Sequence, residues 1–335
     1  MASTAQPPNG IVLFHYERSP YARRVRWYLA FRRIAYAECI QPSIMPRPDL
    51  KALGIKYRRT PSMAVGRDVY LDTRMIIHRL EQLFPASDQH PAFSTPETAG
   101  LASLLNKLVI DASLFNHAVT ILPDNPNIRS EAFHKDRAGF YGPNWTLEDA
   151  MKSRPEGLVH VRECFGILES LLHDSRKWIG ATEKPSLADL EGFWAIEWII
   201  TSLTPPRDII SEEIFPKVYS WHQRFSQALE EAKAAAPQPV TLESAVAVPA
   251  ILGAAFTDKD LNIDGNDPTG LTNGAAVELF PIDGGGFTHQ DVGRLVKLTK
   301  DEVGISVKAE GDGTEVRLHA PRWGFKVQAV SESRL

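Results

Sequence analysis

Apolar and polar positions fall into three successive regimes along this chain. In the first, short apolar runs alternate with helical stripes. Ile11-Val12-Leu13-Phe14 is a continuous run of the kind a buried parallel strand shows. Val25, Tyr28, Leu29 and Ile34 then recur at helical spacing, with Arg23, Arg24, Arg26, Arg32 and Arg33 largely on the opposite, solvated face. Tyr36–Ile40 reads as a second strand, 41–54 as a proline-rich loop with room for one helical turn, and Thr60–Val65 as a third strand. Gly66-Arg67-Asp68 is a turn, Val69-Tyr70-Leu71 a fourth strand, and Asp72-Thr73 caps a helix over 74–84 with a stripe of Ile76, Ile77, Leu80, Leu83 and Phe84.

The second regime, 95–236, is helical throughout. Leu101, Leu104, Leu105, Leu108, Val109, Ala112 and Phe115 mark a long helix over 99–122, and 158–172 repeats the pattern. Ser186 followed three residues on by Asp189 is a capping box with Asp in place of the usual Glu, opening a helix through Trp194 and Trp198. Phe215-Pro216 opens a closing helix, while 124–155 is long and reads as irregular. The third regime follows a linker at 232–239 that ends Pro237-Gln238-Pro239. Period-two alternation then predicts strands at 276–280, 294–298, 304–308, 315–319 and 324–327, an antiparallel β module. The organisation expected is therefore 1–88, 95–236 and 240–335.

Composition narrows the class without naming it. A length of 335 residues, 43% hydrophobic and 23% charged, suits a soluble protein of two or three domains. A net charge of −4 gives no reason to expect nucleic acid or an anionic membrane as partner. Cys39 and Cys164 stand far apart, so neither a disulfide framework nor a zinc site is expected. Residues 1–10 lack the apolar core of a signal peptide and no apolar run reaches the length of a membrane span, so the cytoplasm is the expected compartment. No metal is expected. Asp260-Leu261-Asn262-Ile263-Asp264-Gly265 copies the start of a calcium loop, but Leu271 stands where the bidentate acid is required, and a hydrogen-bonded acidic turn is the reading. Gly284-Gly285-Gly286 lacks the strand–helix context of a phosphate loop.

The chemistry centres on Ser19-Pro20-Tyr21-Ala22, where the first strand turns into the first helix. Proline at the first helical position is costless because its amide would be unpaired, and a side chain beside it faces free amides and the positive end of the helix dipole. Ser-Pro-Tyr-Ala stands in the place of the Cys-Pro-Tyr-Cys motif of glutaredoxin-like domains, with both cysteines lost. With Arg23-Arg24-Val25-Arg26 it resembles the opening of a glutathione transferase of the serine- or cysteine-using classes. In those classes the catalytic residue lies seven positions before the helix arginine, as Ser19 lies before Arg26. The strand–helix–strand, hairpin–helix order is that of the thioredoxin-like fold, and Trp178-Ile179-Gly180 with the capping box resembles the core of the transferase helical domain. The resemblance spans roughly residues 11–235. The tail resembles an appended domain of some fungal transferase-like proteins, notably in Gly293–Leu298 and His319–Phe325.

The resemblance implies an α/β thioredoxin-like N-terminal domain, an all-α transferase C-terminal domain and an extra small, mostly-β C-terminal module. It implies glutathione as co-substrate or cofactor, Ser19 as the hydroxyl that activates its thiol, and Tyr16 as the competing donor. A cis Pro61 would leave the backbone of Thr60 to the cysteinyl part, Asp72 and Thr73 would hold the γ-glutamyl group, and Arg59 would lie near the bound peptide, with Lys56, Tyr57 and Arg58 towards its glycine carboxylate. The thiolate is the nucleophile, so addition to a small electrophile, isomerisation or elimination is expected; without a cysteine in the motif, disulfide exchange is not. Phe115, His117, Tyr141, Trp145 and Trp198 are candidates to line the substrate side, with Arg137 for an acidic substrate. A homodimer, and a role in detoxification or in tailoring one secondary metabolite, are further implications. A non-catalytic ligand-binding or assembly protein on the same fold is the alternative.

Overall fold

The computed structural model describes residues 6–112, 114–123, 128–174, 176–283 and 289–334; the triple glycine at 284–286 lies outside them. The apolar runs form β1 (Ile11–His15), β2 (Ala37–Ile40), β3 (Ser62–Val65) and β4 (Asp68–Leu71). β1 pairs parallel with β2 and antiparallel with β3, which pairs antiparallel with β4. Helices α1 (Pro20–Phe31) and α3 (Thr73–Leu83) cover one face, and a short α2 (Pro48–Ala52) interrupts the proline-rich loop.

The arginines of α1 depart from the solvated face expected for them. Arg24 and Arg32 are fully buried, Arg24 pairing with Glu191 and Arg32 with Glu81 at 2.8 Å. A guanidinium removed from water needs such partners. They lie 167 and 49 residues further along, beyond the reach of a local pattern.

The helical domain comprises α4 (Pro96–Ile110), α5 (Leu114–Thr120), α6 (Glu131–Tyr141), α7 (Leu147–Lys152), α8 (Arg154–Leu171), α9 (Leu187–Trp198) and α10 (Pro216–Ala235). Pro96–Thr120 is apolar and long enough, by composition alone, to qualify as a membrane span, contrary to expectation. Here it breaks into two helices that pack on α9 and α8. The segment read as irregular also contains two helices. α6 and α7 are opened by Ser130 and Thr146, whose hydroxyls accept the amides of Phe133 (3.2 Å) and Asp149 (3.1 Å). Neither helix fully buries a residue, so neither writes an apolar stripe.

The capping box forms as expected. Asp189, fully buried, accepts the amides of Ser186 (2.9 Å) and Ile179 (2.8 Å) and the indole N–H of Trp221 (3.0 Å), tying α9 to α10. The Ser186 hydroxyl donates to the same carboxylate at 2.9 Å. Ser186→Ala should lower stability by about 1 kcal/mol, the usual worth of an N-cap, read as a shift in urea midpoint at unchanged slope. A change in slope instead would show that the unfolding unit itself had altered.

The third regime is strand-rich, as expected, but it does not fold as a sheet of its own. After β5 (Val240–Thr241) and α11 (Ser244–Leu252) come β6 (Ala276–Pro281), β7 (Asp291–Leu298), β8 (Glu302–Lys308), β9 (Glu315–Pro321) and β10 (Phe325–Ala329). β9 pairs parallel with β4, and β5 pairs with β2 at the opposite edge. One sheet of ten strands results, ordered β10-β6-β7-β8-β9-β4-β3-β1-β2-β5. Its second face packs Val12, Phe14, Val69 and Leu71 into one core with Val303, Ile305, Val316 and Leu318.

Two glycines mark where the module's backbone presses on the first domain. A Cβ at Gly54 would lie 2.2 Å from the Lys308 carbonyl oxygen, and one at Gly66 2.2 Å from that of Ala255. Both residues also have positive φ, so glycine is required twice over.

The seam between β4 and the module is a buried charge network. Asp68 accepts the amide of Asp258 (2.8 Å) and His319 Nε2 (3.2 Å), while His319 Nδ1 meets Glu302 at 2.6 Å. Asp258, Glu302 and His319 bring three ligand atoms within 4.8 Å of one another, a spacing a metal ion would suit. The Lys297 ammonium, however, bonds Asp258 at 2.8 Å and Glu302 at 2.9 Å, so the cation among these acids is a side chain of the protein. The acidic turn is hydrogen-bonded as expected, Asp264 accepting the Asn266 amide at 2.9 Å.

Candidate functional site

Strand register gathers the candidate residues. Phe14 pairs with Ser62 and Ser62 with Leu71, so β1, β3 and β4 meet in line at one end of the sheet. The segments leaving or entering there are 16–19, 60–61 and 72–73. Ser19, Thr60, Pro61, Asp72 and Thr73 therefore converge, with the N-termini of α1 and α3 beside them.

Ser19 is buried and caps α1, its Oγ accepting the Ala22 amide at 3.2 Å. A hydroxyl that accepts from the helix still has its own proton to donate. Tyr16, half-buried, sits one turn earlier and its carbonyl accepts the Ser19 amide at 3.0 Å. The Thr60–Pro61 bond is cis, as the resemblance implies.

Asp72 caps α3 at φ 67°, ψ 139°. Its Oδ1 accepts the amide and Nε of Arg74, both at 2.9 Å, and its Oδ2 accepts Nη2 at 2.9 Å. Burial would raise its pKa, but the Arg74 guanidinium and amide hold it below the ordinary value. Thr73 is buried, its hydroxyl accepting from Arg24, which in turn binds Glu191 of α9; Asn106 of α4 donates to the same Glu191 at 3.1 Å. A buried relay thus fixes the start of α3 to the helical domain.

Arg59 turns towards the module. Its Nη1 donates to both Asp283 oxygens at 2.8 and 2.9 Å, and its Nη2 to the Asp283 carbonyl at 2.9 Å. The preceding segment is held from the same side. Asp291, fully buried, accepts the Lys56 amide at 2.6 Å, and burial pushes its carboxyl up to about 7 despite that bond.

On the helical side an aromatic wall begins at the first turn of α1. The Tyr21 ring lies 4.7 Å from both Phe115 and Trp194, and Phe115 stacks on Trp198 at 5.1 Å. Trp198 is half-buried at the rim of the core, while Trp194 lies wholly within it. His117 is elsewhere, stacked on His160 at 4.0 Å. Trp145 stacks on Tyr141 at 5.8 Å beside α6.

Four participants escape a reading of the sequence. Tyr21 looks like part of the motif, yet it joins the wall to the charged groups; burial raises its pKa strongly, so its phenol stays neutral. Arg74 opens the helix expected over 74–84, with nothing in the local pattern to mark it. Asp136 seats α6 over the site, accepting the Met45 amide (3.0 Å) and Arg58 Nη2 (2.8 Å), but lies in the segment read as irregular. Asp283 belongs to the module. The signal for Asp136 was present in Ser130, a residue fit to cap a helix.

The two cysteines add no nucleophile here. Burial, with Asp49 beside it, pushes the Cys39 thiol up to about 12, and burial pushes Cys164 up to about 11.

Residues 13–88 match the family model described as glutathione S-transferase, N-terminal domain, and residues 117–234 match a domain of unknown function (DUF7962). Among solved structures, a GST-like protein from Pseudomonas syringae is 25% identical with a TM-score of 0.67, over 96% of this chain and 100% of that one. Beta-etherase LigF from Sphingobium sp. strain SYK-6 is 17% identical with a TM-score of 0.51, over 68% of this chain and 100% of that one, a likeness of fold. The first alignment is long enough to include the strand-rich module; the second is not. No curated protein matches the sequence. Residues 13–88 thus carry a glutathione S-transferase N-terminal domain of thioredoxin-like fold, joined through a single sheet to an extra C-terminal strand-rich module.

Proposed function

We propose that the protein activates the glutathione thiol at Ser19 for reaction with a small electrophilic metabolite, by addition, isomerisation or elimination. The observation that carries this reading is the register that sets Ser19, Thr60–Pro61 and Asp72–Thr73 at one sheet end, beneath two helix N-termini. The residues fit the co-substrate. Thr73 and the amides of the first turn of α3 suit a carboxylate, and the Ser19 hydroxyl at the positive end of α1 suits a thiolate. Glutathione supplies the sulfur nucleophile; Ser19 donates the hydrogen bond that keeps the sulfur ionised.

Calorimetric titration with glutathione tests this. Wild type should bind saturably, and Asp72→Asn, which keeps the helix cap but gives up the charge that orders Arg74, should bind about tenfold more weakly, roughly 1.4 kcal/mol. No binding at millimolar glutathione would instead support a transferase-fold ligand-binding protein. The Arg59–Asp283 and Asp72–Arg74 pairs give that second reading its footing, since both charged groups already have partners in the chain.

A further inference from the structure

Among the described residues that cluster around α6 and the 47–59 segment, positive charge exceeds negative. Arg47, Arg58, Arg59 and Arg137 present four guanidinium groups against the carboxylates of Asp136 and Asp283. Three of the four are spent on the fold. Arg47 donates to the carbonyls of Pro42, Ser43 and Arg58, Arg58 to Asp136, and Arg59 to Asp283. Arg137, on α6, is different. Its Nη1 lies 3.2 Å from Asp136 Oδ2 and its guanidinium lies 4.8 Å from the Phe133 ring centroid. Its other N–H groups meet no acceptor among the described residues, and its side chain is 26% exposed.

Two tyrosines share its charged surroundings. Tyr141, at the end of α6, lies within electrostatic reach of Arg137, Arg58, Arg59 and Tyr16, and Tyr16 within reach of Arg47. The same field acts on His289, whose imidazole is kept neutral by burial and by Arg58 and Arg47 despite Asp136. The patch therefore lies within electrostatic reach of Tyr16, is positive on a chain of net charge −4, and retains unspent donors. Such a site concentrates anions, and a planar guanidinium with free N–H groups matches a carboxylate. The glycine carboxylate of glutathione would neutralise one of the two surplus charges, leaving the other for the second substrate.

We propose that the electrophile is an organic anion, a carboxylate-bearing acceptor whose acid group docks on the unspent N–H groups of Arg137 on α6. This rests on the glutathione-dependent reading above and gives it a substrate class.

The test uses the full chain and a matched pair of probes, para-chloro-meta-nitrobenzoate and the corresponding benzamide. In each, the glutathione sulfur bonds to the ring carbon, the carbon–chlorine bond breaks, chloride leaves with the bonding pair and the thiol proton passes to solvent. Rates are divided by the uncatalysed rates so that ring activation cancels. Wild type should prefer the benzoate about tenfold or more in normalised kcat/KM, the worth of one charge-assisted pair. Arg137→Gln should bring that ratio to within about twofold of one, while Arg137→Lys keeps part of it. Calorimetry with the two S-aryl glutathione conjugates should show the same preference without turnover. Equal binding of both conjugates by wild type, or a preference that survives Arg137→Gln, overturns the proposal while glutathione binding still stands. Failure to bind glutathione and either conjugate overturns the transferase reading, and this proposal with it.

Discussion

Lys297→Met should destabilise the protein by about 3–5 kcal/mol, because removing one partner leaves buried charge uncompensated. The Lys297 ammonium is buried between Asp258 and Glu302, and both acids are buried with it. Methionine keeps the length of the stem and loses only the charge. Lys297→Arg, which keeps the charge, should recover part of the loss. The readout is the urea midpoint followed by fluorescence, and a loss below about 1 kcal/mol would show that solvent screens this seam as it does a surface pair.

The same seam sets a pH window. Burial pushes Asp68 and Glu302 up, but the His319 hydrogen bonds and charge, with the backbone amides at Asp68 and Lys297 at Glu302, hold both at about 2. Their stabilisation is thus full above the ordinary carboxylate range and is lost as pH falls towards 2. Burial lowers His319, yet Asp68 and Glu302 raise it above the ordinary histidine value. Its stabilisation is present below that ordinary value and is lost as pH rises through the raised one. Stability should therefore be highest between the carboxylate and histidine ranges. His319→Gln should flatten the alkaline flank; an alkaline flank unchanged in that variant would remove His319 from the account.

Ser19→Ala should lower kcat about 10²–10³-fold with glutathione, the loss typical when one preorganised donor to a developing anion is removed. The bound thiol should also titrate at higher pH, followed by thiolate ultraviolet absorbance. The substitution also removes the cap on the Ala22 amide, worth about 1 kcal/mol, so stability should fall slightly and independently. Tyr16→Phe should change kcat by less than about threefold, since the phenol is not the donor on this assignment. The opposite pattern, with Ser19→Ala near wild type and Tyr16→Phe crippled, would move the thiol donor to Tyr16.

What the sequence discloses here follows the range of the interaction. Strands β1 to β4 and β6 to β10 are legible because alternation and apolar runs are local, and the Ser186 box because a cap needs only four residues. Helices α6 and α7 are hidden because they fully bury nothing, leaving hydroxyl caps as their only mark. Arg24 and Arg32 mislead because their partners come from remote helices. The convergence of Ser19, Pro61 and Asp72 is legible only through family resemblance. Asp283 and Asp136 are not legible at all, since pairing with Arg59 and Arg58 depends on how three regimes dock. The merging of the module into a single sheet is invisible for the same reason: a strand's alternation does not name its neighbour.

That single sheet bears on how the protein is made. The ribosome releases the first domain long before β9, so β4 emerges with an open hydrogen-bonding edge, and the face carrying Val12, Phe14, Val69 and Leu71 emerges uncovered. Such edges and faces invite pairing between nascent chains. Until β9 arrives and the Asp68 seam closes, that edge and face stay open to such pairing. Expression should accordingly be more sensitive to changes in residues 240–335 than their distance from Ser19 suggests.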